Sequence, residues 1–305
     1  MRWGRGYFAL QALAGAAWWI AVFTSPFVRE TTLGSLDPVV VAALDIPLFV
    51  IASAIAATGV KPAAIVAAAW TVIVALALAG YATVTTEAGW GVLIMAAAAG
   101  ASVLAVCLML FGRVPTEWII AGPFAFRAAA KRTTVAPQVV ATLGQLVFFW
   151  GFFLVVLPLV VTFFERRWQV GVEFPGFAVW PGVVILILAS ALGLSSAFAM
   201  STIGNGTPLP SAMANTLVVV GPYRWVRNPM AVAGIAQGIG VGLMLGSWLV
   251  VAYAIVGSVL WNYAVRPLEE VDLEQRFGHQ FRRYSEAVRC WVPRVPTTAL
   301  ATAGT

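Results

Sequence analysis

The sequence predicts an all-α fold: a polytopic transmembrane helical bundle of about eight spans, ending in a C-terminal transmembrane hairpin and a cytoplasmic amphipathic helix. Two observations predict it. Of 305 residues, 61% are hydrophobic and only 10% charged, with a mean hydropathy of +0.92, and a surface of that composition would aggregate in water. The apolar residues also gather into runs of about the 20 residues that a spanning helix needs.

The runs cover 7–24, 38–57, 62–83, 90–111, 138–164 and 177–199. A longer one, 230–266, is interrupted by Gly246-Ser247. Its roughly 37 residues, at about 1.5 Å each, suffice for two crossings if that pair makes a tight turn. The first run follows Arg2 and Arg5 and has the outline of a signal peptide. Further runs come at once and no Ala-x-Ala site precedes polar sequence, so a first spanning helix is expected there.

Charge orients the bundle. The 18 Lys and Arg against 12 Asp and Glu give +6. They are scattered over loops, which argues against a nucleic-acid surface and for contact with lipid headgroups. With the N-terminus cytoplasmic, the inside segments carry Arg2, Arg5, Lys61, Arg113, Arg127, Lys131, Arg132, Arg224, Arg227 and the basic tail. The outside segments carry Arg29, Glu30, Asp37, Glu87, Glu165, Arg166, Arg167 and Glu173. Only Arg166 and Arg167 oppose the positive-inside bias, and long side chains beside a helix end can snorkel. The expectation is an integral cell-membrane protein with both termini cytoplasmic.

Within the first spans, Asp45 is a carboxylate inside an apolar run with Pro47 close behind. It either pairs in the bundle interior or sits near the outer headgroups where the run starts late. The tryptophans, among them Trp18, Trp19, Trp70, Trp150 and Trp261, fall mostly near run ends, where an indole suits the headgroup layer. Small residues around Ala52–Ala57 and Ala96–Ala101 allow close helix contact. Cys107, Cys290 and the single His279 are too few for a disulfide framework or a histidine-cluster metal site, so no metal is expected.

The chemistry is expected after Met200. Gly204-Asn205-Gly206-Thr207-Pro208 is a glycine-x-glycine element that lets backbone approach a ligand. It lacks the third glycine and the strand-to-helix context of a soluble dinucleotide site. Asn228-Pro229 ahead of an apolar run reads as a helix start, with Asn at the N-cap and Pro at the first helical position. Arg224 and Arg227 then lie at the cytoplasmic surface, as interfacial anchors or as ligand-binding cations. Glu269 and Glu270 emerge directly from a span, about 100° apart on a helix, so they can face different partners. Leu273, Phe277, Phe281, Tyr284 and Val288 form an apolar stripe for the membrane or the bundle, with Gly278 a weak point.

Read together, Gly221, Tyr223, Arg227, Asn228, Pro229, Glu269, Glu270, Phe277, Gly278, Tyr284, Val288, Arg289 and Pro293 resemble, in order and around a hairpin, the C-terminal region of membrane-embedded methyltransferases. These are the enzymes grouped with isoprenylcysteine carboxyl methyltransferase and the phospholipid methyltransferases. The resemblance implies S-adenosylmethionine bound between the hairpin and the C-terminal helix, with Gly204, Gly206, Gly221, Tyr223, Arg227, Asn228, Pro229, Glu269, Glu270 and Tyr284 as cofactor residues. Arg227, Asn228 and Glu270 are the implied catalytic set, and the acceptor would be a lipophilic, membrane-borne carboxylate, amine or hydroxyl. This sequence departs from the family pattern at Asn228, where a histidine is usual, and at Ala231, Ala233 and Phe281. Two other classes are compatible with the architecture: an NADPH-dependent reductase resembling the sterol reductases, and a non-catalytic lipid-binding or partner protein. Residues 1–175 are expected to be scaffold or substrate-shaping helices, 176–294 the methyltransferase-like domain, and 295–305 a flexible tail.

Overall fold

A computed structural model describes residues 2–120, 136–207 and 213–293. Arg127, Lys131, Arg132, the stretch from Pro208 to Pro210, Arg294 and the tail at 295–305 lie outside the described residues. Seven helices are long and apolar enough to cross a membrane. These are α1 (Arg2–Thr24), α3 (Pro38–Ala57), α4 (Lys61–Thr85), α5 (Gly89–Phe111), α6 (Val139–Arg167), α7 (Gly176–Thr202) and α9 (Trp248–Phe277). Between them stand the short α2 (Pro26–Thr32) and the 17-residue apolar α8 (Pro229–Leu245), and α10 (His279–Ala287) follows.

The Gly246-Ser247 pair does turn the chain between α8 and α9. Gly246 takes a left-handed φ of 62° that side chains disfavour, and the Ser247 hydroxyl accepts from Val250 N at 3.2 Å to start the next helix. The expected separation of span and amphipathic helix does not occur there. α9 continues past the apolar run to Phe277, and the break comes at Gly278, with φ 52°. Pro267 cannot donate to the carbonyl one turn back, yet the helix survives by widening into a π-helical turn at Trp261–Val265. The π turns at Ile46–Ile51 and Gly151–Val156 stand by Pro47 and Pro158 in the same way.

The chain forms two compact units: Met1–Pro115 with Phe163–Gly171, and Thr116–Thr162 with Val172–Thr305. The first unit is packed through small residues. Phe8 and Met109 meet Ala52, Ala56, Ala64, Ala67 and Ala105, and a Cβ on Gly4 would lie 2.7 Å from the Ala105 carbonyl oxygen. The Ala96–Ala101 run contributes less, since none of it is buried.

Asp45 is not at the headgroups: it is buried, and its carboxylate accepts from Trp19 Nε1 at 2.9 Å and Trp70 Nε1 at 2.8 Å. Those two indoles are therefore hydrogen-bonding partners inside the bundle rather than interfacial anchors. Beside them, Gln11 donates to Ser53 at 3.0 Å and accepts from Ser102 at 2.8 Å. Arg167, one of the two charges against the positive-inside pattern, holds the last carbonyls of α4, with Nε to Thr83 O at 2.6 Å and Nη2 to Val84 O at 2.9 Å. A cation there complements the negative helix end.

In the second unit, α8 is the central packing element. Its glycines admit neighbours on two sides: a Cβ on Gly240 would stand 2.8 Å from Gly182 O of α7, and one on Gly238 would stand 2.8 Å from Ala254 Cβ of α9. Substituting either would push helices apart.

Candidate functional site

The site grows from the start of α8. Asn228 caps it, its Oδ1 accepting from Ala231 N at 3.2 Å, and Pro229 occupies the first turn, where its missing N–H costs nothing. The cap side chain has a second duty, since Asn228 Nδ2 donates to Glu269 Oε2 at 3.4 Å. The preceding residue is fixed by backbone, with Arg227 N donating to Arg289 O at 3.0 Å. Arg227 Nη2 then reaches Glu270 Oε1 at 3.2 Å, and Arg266 Nη1 approaches the same oxygen at 3.7 Å. The adjacent glutamates thus take different partners, as their angular separation on α9 requires. Arg227 Nε is buried with no acceptor in the protein.

Around this cluster lies a cavity of about 710 Å³, within the range of about 300–1,000 Å³ usual for small-molecule sites. Arg227, Asn228, Arg266, Glu269 and Glu270 form its charged part, and α6, α8 and α9 supply mostly apolar and aromatic wall. Tyr223 and Tyr284 are buried in the wall, and Tyr284 OH donates to Tyr223 O at 2.7 Å. Burial pushes both phenols above the ordinary tyrosine range, and for Tyr223 the nearby Tyr284 and Glu269 add to the rise. Both are therefore protonated donors at neutral pH. Cys290 also lines the cavity; burial raises its thiol, against a hydrogen bond from Arg266.

Of the residues singled out in the sequence, Tyr223, Arg227, Asn228, Glu269, Glu270 and Tyr284 meet at the cavity, whereas Gly204, Gly206, Gly221 and Pro229 do not line it. The two glycines of the Gly-x-Gly element are instead filled in by protein. A Cβ on Gly206 would sit 2.4 Å from Ala214 Cα, and one on Gly204 would sit 2.5 Å from Met200 O. Their closeness lets Asn215 N donate to Gly204 O at 2.7 Å and Asn215 Nδ2 to Asn205 O at 2.9 Å. That pairing sets Ala214, Thr216, Leu217 and Val218 into the wall. The apolar stripe of the C-terminal segment packs on the protein: Phe281, Tyr284 and Val288 cluster with Leu217, Val219, Leu273 and Phe277.

Several wall residues carry no sequence motif. Arg266 and Gln237 lie inside the hairpin run, and Gln145, Phe149, Trp150 and Phe153 lie in a helix expected to be scaffold. A polar residue interrupting an apolar run was the one signal available for Gln145 and Gln237. Trp150 and Trp261 prove to be wall residues. Among the described residues, no group of three or more His, Cys, Asp or Glu could hold a metal ion.

Residues 177–280 match the model of the phospholipid methyltransferase family. No curated protein matches the chain. A methyltransferase-like domain of this kind is therefore present over part of a chain whose long apolar helices are those of a polytopic membrane protein.

Proposed function

We propose that this cavity binds S-adenosylmethionine and that the protein transfers its methyl group to a lipophilic, membrane-borne acceptor, in the manner of the isoprenylcysteine carboxyl and phospholipid methyltransferases. The observation that carries this reading is one cavity with two chemistries: a charged cluster of Arg227, Asn228, Arg266, Glu269 and Glu270, continuous with an aromatic and aliphatic chamber. A polar cofactor and an apolar acceptor need such a pair of environments side by side. The donor set fits the cofactor. Two carboxylates suit an amine, ribose hydroxyls and a sulfonium charge, and the unpartnered Arg227 Nε suits a carboxylate.

When bound, the cofactor supplies an electrophilic methyl: a bond forms from the acceptor heteroatom to the methyl carbon as the carbon–sulfur bond breaks and the sulfur becomes a neutral thioether. The side chains act chiefly by positioning, since closeness and alignment supply much of the rate in such displacements. Arg227, Asn228 and Glu270 hold the reacting region together through the links described above, and the closed apolar wall excludes water. The proposed topology has eight crossings, counting α8 and α9 as a hairpin, with both termini and the cluster on the cytoplasmic side.

Calorimetric titration of the purified protein in nanodiscs tests this. S-adenosylmethionine is expected to bind with micromolar affinity and NADPH not to bind; the reverse result transfers the site to a reductase. Cysteine labelling is expected to place positions near Arg224 and near Glu87 on opposite sides of the membrane, and labelling both from one side removes the eight-crossing topology.

A further inference from the structure

The apolar chamber owes much of its wall to one helix. Gln145, Leu146, Phe149, Trp150, Phe153 and Leu154 of α6 all line it, at the i, i+4, i+8 spacing that collects side chains on one helix face. Phe149 and Phe153 stand with ring centroids 5.8 Å apart and planes within 10°, a pair of parallel faces suited to a flat guest. Gln145 is the polar exception in this stripe, and its Oε1 is buried with no donor in the protein. The other amide of the wall, Gln237, has its Nε2 satisfied by Ser190 Oγ at 2.9 Å.

An unpaired buried carbonyl oxygen is costly, and a site built around one selects for ligands that supply the donor. An acyl or prenyl chain has none. Resting on the methyl-transfer reading above, we propose that the acceptor is a phenol-bearing amphiphile whose hydroxyl donates to Gln145 Oε1 while its ring lies against Phe149 and Phe153. The contact is one of recognition: no bond is made or broken at Gln145, and the transfer step is unchanged. Gln145 is then the residue that separates aromatic acceptors from simple lipid chains.

The test compares binding of an alkylphenol with that of the alkylbenzene of equal chain length, to protein in nanodiscs, after subtracting uptake by empty nanodiscs. The wild-type protein is expected to prefer the phenol by about 5- to 150-fold. Gln145→Leu is expected to remove the preference while leaving alkylbenzene and S-adenosylmethionine affinities unchanged. Gln145→Met, unbranched and closer in shape, replaces it if the leucine variant is not recovered folded. No preference in the wild type, or a preference that survives in a folded variant, overturns the assignment. If S-adenosylmethionine binds but the phenol preference is missing, only the acceptor class falls. If the preference holds but S-adenosylmethionine does not bind, the methyl-transfer reading falls and takes the acceptor role with it.

Discussion

The two compact units treat buried polar groups in opposite ways. In the first, Asp45 is held by two indoles, Gln11 by Ser53 and Ser102, and Arg167 by the end of α4. Each polar side chain finds its partner within the unit. The buried side-chain atoms left without a partner among the described residues, on Thr142, Gln145, Thr162 and Arg227, all belong to the second unit. Two of those residues, Gln145 and Arg227, line its cavity. In a low-dielectric interior, satisfied polar networks fix one packing, whereas unsatisfied ones are costly unless a ligand completes them. The first unit is built as a closed scaffold and the second as a receptor.

The sharpest way to break that comparison is to remove charge from the receptor. Glu270→Gln and Arg227→Met each keep approximate size and leave the partner charge without its mate. Each is expected to cost about 2–3 kcal/mol of cofactor binding, or roughly 30- to 150-fold in affinity, with the protein still folded. Wild-type affinity in both folded variants would make these residues structural.

The converse expectation concerns the scaffold. Asp45→Asn turns one accepting oxygen into a donor facing an indole N–H, so stability is expected to fall by about 1–3 kcal/mol with cofactor affinity unchanged. Thermal melting and titration on the same sample separate the two effects. Loss of binding in Asp45→Asn alone would move the site into the first unit.

A smaller effect lies in pH. The Tyr81 hydroxyl and then the Ser35 contacts hold the Glu87 carboxyl below its ordinary range. A lowered folded pKa contributes stability that is present above the unfolded value and vanishes as pH falls through the folded one. Melting temperatures between neutral pH and about pH 3 are expected to drop less for Glu87→Gln than for wild type. In the second unit the raised Tyr223 and Tyr284 have the opposite sign, with stability present below the ordinary tyrosine range and lost as pH rises beyond it. An acid loss unaltered in Glu87→Gln would detach this carboxylate from the scaffold's stability.

Much of the helical pattern was legible because lipid imposes it. Every backbone group in an apolar environment must be satisfied within its own helix, so run length and composition mark the long helices, and Gly246-Ser247 and Asn228-Pro229 mark their ends by local chemistry. Arg227, Asn228, Glu269 and Glu270 were likewise legible, since charge beside an apolar run has few cheap explanations. What local chemistry could not supply was partnership. Whether Asp45 met water or two indoles depended on which helices packed beside it, and whether Gly204 and Gly206 opened toward a ligand or closed on Ala214 depended on a segment ten residues away. The course of α9 through Pro267, and the turning of Gln145, Phe149 and Phe153 into the cavity wall, were decided in the same way. Each follows from contacts between residues distant in sequence, where packing density and hydrogen-bond satisfaction choose among faces that periodicity leaves equivalent.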